Sequence, residues 1–169
     1  MEPTTEQRRC ESFRNYLRPA RFPATIDSSK SRSEKETTVY RFLEHTAQLE
    51  LEIEAGSFEE LLAEATRAFA ELVAPGSRGV PAHRTVEIAR DDEKTIVADW
   101  LSELVYLAET DSFVPRRLLA CERTPDRISV KLAGFLDAPR PLIKAITYDG
   151  LELSESSRGL WQAKVTLDI

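Results

Sequence analysis

Apolar and polar residues change period several times along the chain, and each change marks an element. Leu49, Leu51 and Ile53 alternate with Glu50, Glu52 and Glu54, the period of two expected of a strand with one face in water. Gly56 breaks the alternation. Ser57, with Glu60 three residues on, makes a capping box that satisfies amide donors at a helix start. Phe58, Leu61, Leu62, Ala65, Phe69 and Leu72 then recur at helical spacing as far as Pro75-Gly76, predicting a helix near 58–73. Val86 and Ile88 alternate with Thr85 and Glu87, a short strand. Asp91 or Asp92 can cap a second helix. Ile96, Val97, Trp100, Leu101, Leu104, Val105 and Ala108 form its apolar stripe, predicting a helix near 93–109.

After Asp111 the pattern returns to strands. Candidates are Phe113 to Glu122, Ile128 to Leu136, Leu142 to Tyr148 and Leu160 to Asp168, with turns at Pro125-Asp126, Pro139 and Asp149-Gly150. Trp161, Ala163, Val165 and Leu167 share one face of the last strand, so Gln162, Lys164, Thr166 and Asp168 share the other. Asp168 is thereby aimed away from the apolar face. The order of elements predicts an α+β fold, two helices packed on a largely antiparallel β-sheet in a single domain.

Order begins at about Tyr40. Residues 1–38 show no sustained apolar periodicity. Their run Ser28-Ser29-Lys30-Ser31-Arg32-Ser33-Glu34-Lys35-Glu36 offers too little apolar surface to offset its ordering entropy. The expected organisation is a flexible N-terminal extension over 1–38, in which Cys10 to Leu17 suits a helical turn or two under a partner, and a folded domain over 39–169.

Charge sharpens the division. The net formal charge is −6, and the first 38 residues hold eight Lys/Arg against six Asp/Glu, so the folded part carries −8. An acidic domain of this kind suits a basic protein partner better than an RNA strand, although solubility alone accounts for many acidic domains. No stable direct binding of nucleic acid is therefore expected. No apolar run reaches the roughly 18 residues of a membrane span. Cys10 and Cys121 stand far apart in no metal-type spacing, which reads as reduced thiols in a cytoplasmic protein.

Common catalytic signatures are missing. Six scattered glycines make no phosphate loop, and two histidines, neither beside a nucleophile motif, offer no triad and too few ligands for zinc.

Five segments in order carry a family resemblance instead. They are Tyr40-Arg41-Phe42-Leu43-Glu44-His45-Thr46-Ala47-Gln48, Ser57-Phe58-Glu59-Glu60-Leu61, Asp99-Trp100-Leu101-Ser102-Glu103-Leu104-Val105-Tyr106-Leu107, Lys144-Ala145-Ile146-Thr147-Tyr148-Asp149-Gly150-Leu151 and Val165-Thr166-Leu167-Asp168-Ile169. Together they resemble the archease family over about 130 residues. The resemblance implies an accessory protein, not an enzyme. It would activate an RtcB-type RNA ligase, promoting the ligase's guanylylation and repeated turnover in tRNA splicing or RNA repair.

It also implies a divalent cation (calcium, magnesium or manganese) held by the Asp of the family's His-Thr-Ala-Asp, the penultimate Asp and the C-terminal carboxylate. Asp168 and Ile169 match that pattern; Gln48 stands where the family has Asp, and Asp149 where it usually has His. Either a carboxylate has moved across the site from one position to the other, or the two changes are independent and cation binding is weakened. Hard oxygen ligands suit such cations, and an amide oxygen lends a donor without the charge. Glu44, His45, Thr46 and Lys144 are the candidates for support of the acidic cluster, against plainer roles as strand-end or solvent-facing side chains. Trp100 reads as core, and His83 as a loop residue. Two other readings stay open: a divergent, metal-free member acting as a protein-binding adaptor or chaperone-like module, and a small metal-dependent hydrolase.

Overall fold

The computed structural model describes residues 39–169 apart from Thr46, Ser77, Asp91 and Glu93, together with the backbone but not the side chain of His45. The expected N-terminal extension lies outside the described residues. Seven strands and two helices follow in the order β1 (Val39–His45), β2 (Gln48–Ala55), α1 (Phe58–Val73), β3 (Val80–Ala89), α2 (Ile96–Asp111), β4 (Phe113–Arg123), β5 (Arg127–Leu136), β6 (Ala145–Glu155) and β7 (Trp161–Asp168). The strands form two antiparallel sheets, β1-β2-β7-β6 and β3-β5-β4, in place of the single sheet expected.

Each helix touches strands of both sheets: α1 packs on β2 and β4, and α2 on β4 and β6. One cluster of buried side chains joins these elements. Leu49, Leu51, Ile53 and Ala55 of β2, and Ala163, Val165 and Leu167 of β7, point into it, as their alternation requires. From the helices come Phe58, Leu61, Leu62 and Phe69, and Trp100, Leu101 and Leu104. Trp100 is fully buried, and its indole N–H donates to Thr66 Oγ1 at 3.1 Å, while that hydroxyl donates to the Leu62 carbonyl. The polar edge of the ring is thereby satisfied inside the core.

Local chemistry sets the helix starts. Ser57 Oγ accepts the Glu60 amide at 3.2 Å, and Glu60 reaches back to the Gly56 amide at 3.0 Å, one residue earlier than the usual capping-box partner. Asp92 Oδ1 accepts the Lys94 amide at 3.0 Å, and its carbonyl accepts from the Thr95 amide and hydroxyl. The cap therefore closes a preceding turn, and α2 proper starts at Ile96 instead of 93.

Two expected boundaries move for a related reason. β3 is ten residues long where a short strand was expected, and His83, read as a loop residue, lies within it, because pairing with β5 in unbroken register extends it from Val80 to Ala89. Asp149-Gly150 makes no chain-reversing turn. Between Thr147, opposite Thr166, and Glu152, opposite Lys164, the register shifts, and the four residues between bulge out of β6 with Gly150 at φ +73°. The reversal comes later, where the Leu160 amide is held by Ser156 Oγ and the Ser156 amide by the Leu160 carbonyl.

β4 also approaches β5 closely. A Cβ on Gly134 would sit 2.2 Å from the Val114 carbonyl oxygen and 2.8 Å from Pro115 Cα. Gly134→Ala is expected to cost about 1–3 kcal/mol by overpacking, read as a lowered denaturation midpoint in urea. An unchanged midpoint would mean that the two strands can separate without loss.

Candidate functional site at the open end of the four-stranded sheet

The antiparallel registers line up one row of residues across the first sheet: His45 opposite Gln48, Gln48 opposite Asp168, and Asp168 opposite Ala145. The row follows from period-two alternation. Leu49 and Leu167 face the core, so Gln48 and Asp168 face outward. Gln48 Nε2 donates to Asp168 Oδ1 at 3.1 Å, and Thr147 Oγ1 donates to Asp168 Oδ2 at 3.3 Å. Both carboxylate oxygens are engaged.

Main-chain bonds fix the corner. The Lys144 amide donates to the Asp168 carbonyl at 2.8 Å, and the Ile169 amide to the Ala47 carbonyl at 3.3 Å. Lys144 Nζ donates to the main-chain oxygen of Ile169 at 3.0 Å. Ala47, in the two-residue connection between β1 and β2, has φ +63°, a left-handed conformation that costs a residue with a Cβ roughly 1–2 kcal/mol. Ala47 is thus held in a strained form while its carbonyl receives the Ile169 amide.

Of the residues singled out from sequence, Gln48, Asp168, Ile169 and Lys144 come together. His45 shares their row by register, and its side chain lies outside the description, as does Thr46. Glu44 is exposed and opposite Leu49, on the row that faces the other way. Asp149 makes none of the hydrogen bonds given for this corner. It is exposed in the β6 bulge, beyond Thr147, off the paired row.

Sequence reasoning missed two participants. Thr147 lies on the same outward face as Asp168, a signal available from alternation within β6. Tyr148 donates its hydroxyl to Asp99 Oδ1 at 2.7 Å, and Asp99 Oδ2 accepts from Thr95 Oγ1 at 2.8 Å. That hydrogen bond to a carboxylate, with partial desolvation, raises the Tyr148 phenol above its ordinary range. It also ties the bulge to α2. Two motifs far apart in sequence, Asp99-Trp100-Leu101 and Lys144 to Tyr148, meet here, and nothing in local periodicity announces the bond.

The donor set has a definite chemical character. Asp168 supplies the side-chain carboxylate, Gln48 and Thr147 are neutral, and the Lys144 ammonium lies on the Ile169 oxygen. Among the described residues no group of three or more His, Cys, Asp or Glu side chains could hold a metal ion. Calcium and its relatives take six or more oxygens, several of them anionic. Among the described side chains of the corner, Asp168 alone brings a carboxylate toward such a cage.

Comparison with known proteins gives one consistent answer. The model of the archease protein family (MTH1598/TM1083) matches residues 40–169. The archease of Methanosarcina acetivorans is 31% identical over 140 residues, covering 77% of this chain and 95% of that protein. Pyrobaculum neutrophilum archease is 28% identical over 140 residues, with the same coverages. Among solved structures, Methanobacterium thermoautotrophicum protein 1598 superposes with a TM-score of 0.59 at 24% identity, over 77% of this chain and 98% of that one. A Thermotoga maritima protein described as an archease, possible chaperone, gives 0.56 at 21% identity, over 84% and 100%. At those identities the two structures speak to the fold alone.

Proposed function

The chain belongs to the archease family, and from that premise we propose that it is a cytoplasmic accessory protein of an RtcB-type RNA ligase. In this reading it promotes guanylylation and repeated turnover of that ligase in tRNA splicing or RNA repair. The observation that carries the reading is the convergence of Gln48, Asp168, Lys144 and Ile169 at one outward corner, built from three of the segments that resemble the family. The corner offers a hydrogen-bonded carboxylate and an ammonium to a partner's surface. Among the described residues no group of three or more His, Cys, Asp or Glu side chains could hold a metal ion, which disfavours the metal-dependent hydrolase alternative. A possible-chaperone description of the Thermotoga maritima relative fits a protein that acts on another protein.

The direct test is single-turnover guanylylation of the cognate ligase with GTP, with and without this protein. A rise of tenfold or more in rate is expected; equal rates would remove the reading.

Cation binding at the corner is proposed to be weak, because Gln48 removes one formal charge and Lys144 supplies an opposing one. The same features favour a metal-free adaptor as the second reading. The two separate by experiment. Gln48→Asp places a carboxylate directly opposite Asp168, and like charges at paired strand positions cost about 0.2–1 kcal/mol. The variant is expected to melt below the parent in chelator and above it in millimolar calcium. Calorimetry on both proteins should show binding strengthened in the variant. A variant whose melting temperature ignores calcium would leave the adaptor reading in possession.

A further inference from the structure

Of the four edge strands in the two sheets, three carry features that discourage a further strand. β6 is interrupted by its four-residue bulge, β4 by two register shifts and Pro115, and β3 by Pro81. β1 carries none of these. It pairs with β2 in unbroken register from Val39↔Glu54 to His45↔Gln48, and among the described residues it has a neighbour on one side only. Val39 and Leu43 are exposed, 53% and 37%.

The charge around this edge selects its occupant. The outward face of the sheet carries Glu50, Glu52, Glu54, Glu152 and Asp168 against Arg41 and Lys164. Arg41 is already paired with Glu52, and Lys164 with Glu50. A groove of about 480 Å³ runs over this face beside β1, lined among others by Val39, Arg41, Glu52, Glu54, Glu152 and Lys164. Glu44 stands on the opposite row of β1, beside Phe42, and is exposed. A second copy added there would bring an equally acidic face, and would set Glu44 against its aromatic residues with no compensating charge.

We propose that β1 is a strand-addition site for an extended, basic segment of a protein partner. Main-chain hydrogen bonds to the free edge supply affinity. Lysine or arginine at alternate positions lines the outward face of the added strand and reaches Glu54 across Val39, which supplies the choice of partner. The site runs along β1 and meets the corner only at its end, where His45 lies opposite Gln48; its test uses a peptide and no ligase, so it stands or falls independently of the ligase reading.

The probe is an acetylated, amidated (Lys-Val)4 peptide, added to the full-length, isotope-labelled chain. Amide exchange and shift changes should map to residues 39–45, alternate β1 amides gaining protection. Binding should weaken about tenfold or more when alternate peptide nitrogens are methylated, when Glu54 is changed to Lys, or when salt is raised to 0.5 M. Three results would overturn the proposal: shifts mapping elsewhere, equal binding of (Glu-Val)4, or β1 amides already protected on both edges in the free chain. In the last case sedimentation assigns the occupant, since concentration-dependent mass means a second copy and a constant monomer means the chain's own N-terminal residues.

Discussion

Asp168→Asn is expected to abolish most of the protein's stimulation of its ligase, by tenfold or more in single-turnover rate, while leaving the fold standing. The side chain faces outward and its bonds come from Gln48 and Thr147; the core contribution of β7 belongs to Ala163, Val165 and Leu167. Removing the charge weakens two charge-assisted hydrogen bonds that are half-exposed, so the loss of stability should stay near about 1 kcal/mol. Circular dichroism melting beside guanylylation kinetics separates the effects. A chain ending at Leu167 is harsher. It also loses the Asp168 carbonyl that holds the Lys144 amide and the Ile169 amide bonded to Ala47, for a further few kcal/mol at most. If Asp168→Asn stimulates the ligase as fully as the parent, the corner has no part in activation. The adaptor reading would then be the better one.

Trp100→Ala carries the largest expected cost in stability, about 3–5 kcal/mol. The ring is fully buried, and its loss opens a cavity and leaves Thr66 Oγ1 without its donor. For a domain of marginal stability, much of the population should be unfolded at physiological temperature. Trp100→Phe keeps most of the volume and loses the N–H, so it should fall well short of that cost. Urea midpoints for the two variants distinguish packing from hydrogen bonding. Equal losses would show that the bond to Thr66 dominates.

The periodicity of the sequence by itself determined the secondary structure of most of the chain. Both helices, the alternation of β2 and β7, and the burial of Trp100 were legible because each depends on which face of one element is apolar. The outward aim of Asp168 followed in the same way from Leu167 and Val165. Family motifs located Gln48, Asp168 and Lys144, and the registers then set Gln48 beside Asp168.

What only the tertiary structure decided depends on pairing between distant segments. Two sheets instead of one, and the length of β3, come from strand partners that no local pattern specifies. Asp149-Gly150 has the composition of a turn, and locally a positive-φ glycine looks the same in a turn and in a bulge. The continued pairing of Glu152 to Glu155 with β7 makes it a bulge, and so leaves Asp149 outside the paired row. The openness of β1 is likewise a property of sheet order. Only the arrangement of the other six strands shows that, among the described residues, β1 has a neighbour on one side alone.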